Sequence, residues 1–71
     1  MIIYTDHATV RATKRFIRKE WVEEAIKNPD IRIDAKYGRK QAIKKINEKE
    51  VSVIYIEQSS NFIVITVFWG R

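Results

Sequence analysis

Cysteine is absent, and with it go a disulfide scaffold, a thiolate zinc site and a cysteine nucleophile. A single histidine, His7, rules out a multi-histidine metal centre within one chain, so no metal and no cofactor is expected. One proline and two glycines leave no material for a flexible linker or a glycine-rich phosphate loop. Apolar stretches such as Phe62 to Trp69 fall far short of the roughly 20 residues a membrane-spanning helix needs, and the first residues lack the basic-then-apolar pattern of a secretory leader. A soluble cytoplasmic protein is expected.

What is present is an ordinary globular mixture, 45% hydrophobic and 32% charged. Its 71 residues suffice for a single domain, 1–71, near the size at which a chain stays folded unaided, so a partner subunit would help. The net charge of +5 is polarised: residues 1 to 47 carry 12 basic and 6 acidic side chains, residues 48 to 71 carry 2 and 3. Two blocks lack acids altogether. Arg11, Lys14, Arg15, Arg18 and Lys19 form the first, and Lys36, Arg39, Lys40, Lys44 and Lys45 the second, with Glu20, Glu23 and Glu24 between them. Brought together by the fold they would make a cationic surface for phosphates; kept apart they are two solvated faces.

Periodicity assigns the elements. Met1 to Tyr4 suits a short strand, and Thr5 and Asp6 offer caps to a helix over about Asp6 to Arg15 with Ala8, Ala12 and Phe16 on one face. A second helix is expected over about Lys19 to Asn28, burying Trp21, Val22, Ala25 and Ile26 and ending at Asn28-Pro29. Strands follow at Asp30 to Ala35, Arg39 to Asn47, Val51 to Glu57 and Phe62 to Trp69, the last two joined as a hairpin by Gln58 to Asn61. The fold class read from this order is α+β: a short N-terminal strand and two helices packed on one face of a four-stranded antiparallel sheet.

Both hairpin strands are apolar on both faces. Strict alternation sets Phe62, Val64 and Phe68 on one side of the last strand and Ile63, Ile65, Val67 and Trp69 on the other. Two helices cover only one face, so a homodimer, a partner protein or a ligand groove is expected on the other.

His7, Arg11 and Arg15 recur every four residues and form a cationic stripe beside the buried stripe of the first helix. Like charges so spaced disfavour a helix by a few tenths of a kcal/mol per pair, roughly, unless an anion sits among them. In the first turn, beside guanidinium groups, His7 suits a base better than an acid. Metal-free RNA cleavage needs such a base, cations on the phosphorane and an acid for the leaving oxygen. Lys40 and Lys44, on one strand face beside Ala42, are candidates for the same phosphate, and Tyr55 or Thr66 for a hydroxyl. The acid is missing, and a lone helix-start histidine is commonly structural. Tyr55, Phe68 and Trp69 could stack on bases, although strand spacing favours core or interface positions for them.

With these residues in view, the chain resembles, over nearly its whole length, the family known as domain of unknown function 4258. The signature runs through His7-Ala8, Arg11, Arg15 and Ile17; then Val22, Ala25, Ile26 and Asn28-Pro29-Asp30; then Gly38-Arg39-Lys40 into Ala42-Ile43-Lys44-Lys45-Ile46; then Val64 to Trp69. Two departures stand out: Phe16 where a glycine is usual, and Arg18 where a Ser-like cap would open the second helix. The resemblance implies a fold like that of RelE-type toxins and other barnase-like ribonucleases, found in toxin-antitoxin or mobile-element settings. It singles out His7, Arg11, Arg15 and Lys44, the expected catalytic residues; the two basic blocks add Lys14, Arg18, Lys19, Arg39, Lys40 and Lys45 as expected RNA contacts. The expected function is RNA binding with metal-independent endoribonuclease character, the partners being RNA, the ribosome among its settings, and an antitoxin protein. The alternative is a non-catalytic homodimeric module that binds nucleic acid or protein.

Overall fold

In the computed structural model, which describes residues 1–71, the chain order is β1 (Ile2–Tyr4), α1 (Asp6–Lys14), α2 (Lys19–Lys27), β2 (Ile31–Asp34), a 3-10 turn (Lys36–Gly38), β3 (Lys40–Ile46), β4 (Lys49–Gln58) and β5 (Asn61–Trp69). The α+β class holds, with one correction: the sheet has five strands in the order β1-β5-β4-β3-β2 and is mixed. β1 joins it by pairing in parallel with β5, Ile2 opposite Phe62 and Tyr4 opposite Val64. Its alternation places Ile2 and Tyr4 against the core, and pairing covers an otherwise open edge.

Local chemistry sets the helix ends. Thr5 caps α1, its Oγ1 accepting from the Ala8 amide at 3.1 Å and donating to the Val64 carbonyl at 2.9 Å, which ties the cap to β5. The far end closes as a Schellman turn: the Phe16 amide donates to the Thr13 carbonyl and the Ile17 amide to the Ala12 carbonyl. Such a turn needs a left-handed residue, normally glycine, and Phe16 takes that place with φ of 55°. Arg15 is therefore the helix's C-cap and not its last residue. α2 opens at Arg18 with no side-chain cap.

Both helices lie on one face of the sheet, α1 on β5 and α2 on β3 and β4. The core between them is Ala8, Ala12, Ile17, Val22, Ala25 and Ile26 against Ala42, Val51, Val53, Tyr55, Val64 and Val67. A β-bulge falls in the β4–β5 ladder, where Tyr55 pairs with Val64 but Ile54 pairs with Thr66, leaving Ile65 as the extra residue. Strict alternation along β5 is overturned here. Beyond the bulge Val67 and Trp69 turn to the helix side with Phe62 and Val64, and Phe68 turns to the open side.

The open face carries aligned rows. Ile31, Ile43, Ser52 and Phe68 make one, Ile33, Gln41, Ile54 and Thr66 a second, and Ile56, Ile63 and Ile3 a third. Ile43 and Ser52 are fully buried, whereas Ile3 and Ile33 are 40% and 41% exposed.

Candidate nucleic-acid interface

The stripe expected on α1 forms. Arg11 Nε donates to His7 Nε2 at 3.4 Å, a long, exposed contact between an exposed His7 and a half-buried Arg11. From His7 to Arg15 the stripe spans about 12 Å of helix. Its last member is anchored: Arg15 Nη1 donates to the Val67 carbonyl at 2.7 Å, while Trp69 Nε1 donates to the Arg15 carbonyl at 2.7 Å. This reciprocal clasp fixes the end of α1 to β5 past the point where β1 stops, and it leaves Arg15 with unused N–H donors.

Three ion pairs exist in the chain, Lys40–Glu57, Lys44–Asp30 and Arg71–Glu50. None involves Arg11, Lys14, Arg15, Arg18 or Lys19. The whole first cationic block is without a carboxylate partner on its helix end and turn. Lys14, Arg18 and Lys19 are exposed, Arg11 and Arg15 half-buried.

The second block is disposed differently. Lys40 and Lys44 share the helix side of β3, as their spacing predicts, but β3 lies two strands from β5, with α2 over the intervening sheet. Lys44 is not brought beside His7. Its Nζ sits 3.6 Å from Asp30, whose carboxyl is held below its ordinary range first by the Lys45 amide at 2.7 Å and also by the charges of Lys44 and Lys45. Lys40 Nζ is 3.0 Å from Glu57. Arg39 and Lys45 are exposed, Arg39 after the 3-10 turn and Lys45 on the open side of β3. The two blocks therefore make separate surfaces, with the acids of α2 between them.

Neither candidate hydroxyl stands ready as an acid beside His7. Tyr55 is fully buried against Phe62, edge to face at 5.8 Å, and its hydroxyl has no partner. Thr66 pairs across to Ile54 on the open side. Of the aromatics expected to stack, Phe68 also faces the open side.

Trp69 alone reaches a cleft, and most of that cleft was not legible in the sequence. It is an open hollow of about 860 Å³ at one end of the helix layer, floored by Trp21, Ile46 and Trp69. Arg15 and Phe16 form one wall and the turn Asn47-Glu48-Lys49 the other. The indole rings meet edge to face at 5.8 Å. Arg18 lies over the Trp21 ring at 5.5 Å and Lys49 over Trp69 at 5.6 Å. Phe16, by contrast, is 85% exposed, with no cation over its ring. Helical spacing had placed Phe16 among the buried residues; the Schellman turn swings it out. The glycine-to-phenylalanine departure at residue 16 was the one signal pointing here.

Comparison with known proteins adds a family and nothing finer. The model of the family described as "Domain of unknown function (DUF4258)" matches residues 4–69. No curated protein matches the chain, and no solved structure does.

Proposed function

The chain belongs to the DUF4258 family, whose description assigns no activity, and we propose that it binds single-stranded RNA along the exposed side of α1. The observation that carries this reading is the unpaired block Arg11, Lys14, Arg15, Arg18 and Lys19. Five cations with no acid among them, from the last turns of α1 to the first residue of α2, repel one another until a polyanion neutralises them and sheds its own condensed counterions to the solvent. Arg11 and Arg15 take neighbouring phosphates, and Lys14, Arg18 and Lys19 extend the track. The triple variant Arg11→Gln, Lys14→Gln, Arg18→Gln leaves the Arg15 clasp intact. If each lost cation is one lost phosphate contact, the slope of log affinity against log salt should fall by about 2 for a single strand. An unchanged slope, with the fold verified by circular dichroism, sinks the proposed surface.

A second reading, metal-independent RNA cleavage of the RelE type in a toxin-antitoxin or mobile-element setting, is favoured by the His7–Arg11 contact. The contact sets a candidate base beside a cation that a phosphate can engage. With a phosphate drawing Arg11 away, His7 would take the 2′-hydroxyl proton, the 2′-oxygen would attack the adjacent phosphorus, and the 5′-oxygen would leave with a proton from water. Because neither Tyr55 nor Thr66, the hydroxyls offered as the acid, reaches His7, the geometry supports binding better than cleavage. Wild type and His7→Ala with end-labelled RNA in EDTA, alone and on ribosomes, decide it: 2′,3′-cyclic ends from wild type alone establish the reaction, and none from either discards it.

The open sheet face supports a homodimer. In a chain of net charge +5 the three rows from Phe68 to Ile3 hold no charged side chain, and the next row on that face sets Lys45 opposite Glu50, so two copies can stack on the apolar rows with this charge pair at their margin. Size-exclusion chromatography with light scattering should give a dimer for wild type and a monomer for Ile54→Lys. A wild-type monomer at micromolar concentration ends this part of the proposal.

A further inference from the structure

The cleft beside the basic track has its own chemistry. Phe16 carries two costs at once: a side chain in left-handed backbone, and a phenyl ring left 85% in water. Glycine would serve the Schellman turn better, and a ring left so exposed adds little to the fold. The neighbouring rings differ. Trp69 is fastened through its Nε1 to the Arg15 carbonyl, and the faces of Trp21 and Trp69 carry Arg18 and Lys49. The hollow thus has a rigid indole floor, a free phenyl wall and two lining cations, Arg15 and Lys49, against one acid, Glu48, with Arg18 beside them over the Trp21 ring.

We infer that this cleft is a stacking subsite for a nucleobase of single-stranded RNA, with the base on the Phe16 ring and its phosphate held by Arg15, Arg18 and Lys49. The inference rests on the RNA-binding reading above and deepens it. A hollow of about 860 Å³ lies in the size range of small-molecule sites and leaves room for a nucleotide. The excess of cations selects a flat group that carries negative charge over a neutral apolar side chain from a protein. Position supports the same occupant, since Arg15 both ends the stripe and lines the cleft, so a strand laid along His7, Arg11 and Arg15 runs into the aromatic hollow. Aromatic stacking with a cationic groove is the general means of holding single strands without base-specific hydrogen bonds, so little sequence preference is expected.

Trp21 and Trp69 are the only two tryptophans, so occupancy can be read from intrinsic fluorescence. The ligands are an adenosine octanucleotide and a ribose-phosphate octamer without bases; the proteins are wild type and Phe16→Gly, which keeps the left-handed turn. Wild type should bind the octanucleotide with quenching and about 5- to 150-fold more tightly than the baseless octamer, the range stacking on an aromatic ring gives. Phe16→Gly should lose most of that preference while its affinity for the baseless octamer and its salt slope stay unchanged. Equal binding of both octamers by wild type, or an unaltered preference in Phe16→Gly, overturns the subsite and leaves the RNA track standing; a protein side chain as the true occupant gives this result. Binding of neither octamer overturns both.

Discussion

Replacing Phe16 by alanine and by glycine should reverse the stability order that an ordinary exposed site shows. The ring is 85% exposed, so about 30 Å² of a roughly 200 Å² side chain is out of water, worth less than about 1 kcal/mol. Both replacements lose that small amount equally. They differ in the backbone. At φ of 55° a Cβ crowds the following carbonyl at a cost of about 1–2 kcal/mol, which alanine retains and glycine removes. Glycine gives back about 0.5–1 kcal/mol through the greater freedom of its unfolded chain. At the central values, about 1.5 against about 0.75 kcal/mol, Phe16→Gly is more stable than Phe16→Ala by roughly 0.75 kcal/mol, about 3–6 °C in Tm for a domain of this size. Thermal melts followed by circular dichroism, with urea titrations as a second measure, give the ranking. Alanine equal to or better than glycine would mean that residue 16 is not left-handed and that α1 does not end in the turn described.

Arg18 opens α2 without a side-chain cap, so Arg18→Ser should raise stability by about 1 kcal/mol in a urea titration while weakening RNA binding; loss of stability would show that the cation over Trp21 matters more than the cap. Trp69→Phe keeps a ring in the core but strands the Arg15 carbonyl, and should lower stability by about 1–3 kcal/mol; no loss would refute the clasp. The Tyr4 phenol is pushed up to about 12 by burial first and by Glu23 and Glu20 second, so its contribution to stability is complete below its ordinary value of 10.0 and is lost as pH rises towards 12. Tyr4→Phe should flatten that alkaline fall in the urea midpoint and, because the hydroxyl has no partner, cost nothing at pH 7.

How far the fold was legible follows from how local each determinant is. α1 and α2 were readable because their apolar residues recur at helical spacing and Thr5 and Pro29 mark their limits, and the hairpin because β-branched runs flank Ser59-Ser60, both with positive φ. The membership of β1 in the sheet was not. Three residues carry no record of a parallel partner at Phe62 to Val64, nearly the whole chain away. The His7–Arg11–Arg15 stripe was readable because all three sit on one helix; the grouping of Lys44 with it was not, because that depended on which strands α1 and α2 each cover.

The cleft lay hidden for a related reason: each of its aromatic walls depends on a break in periodicity. Helical spacing sends Phe16 inward with Ala8 and Ala12, and the left-handed turn sends it out. Strand alternation puts Trp69 on the side of Ile63 and Ile65, and the bulge at Ile65 returns it to the helix side, where the Arg15 carbonyl and Trp21 await it. Trp21 alone obeys its pattern. Two independent departures, on α1 and on β5, converge on one hollow flanked by cations. A fold that needed only stability would satisfy both places more simply, with glycine at 16 and an unbulged strand. Local rules yield where a side chain has another use, and the proposed stacking subsite would give this convergence one.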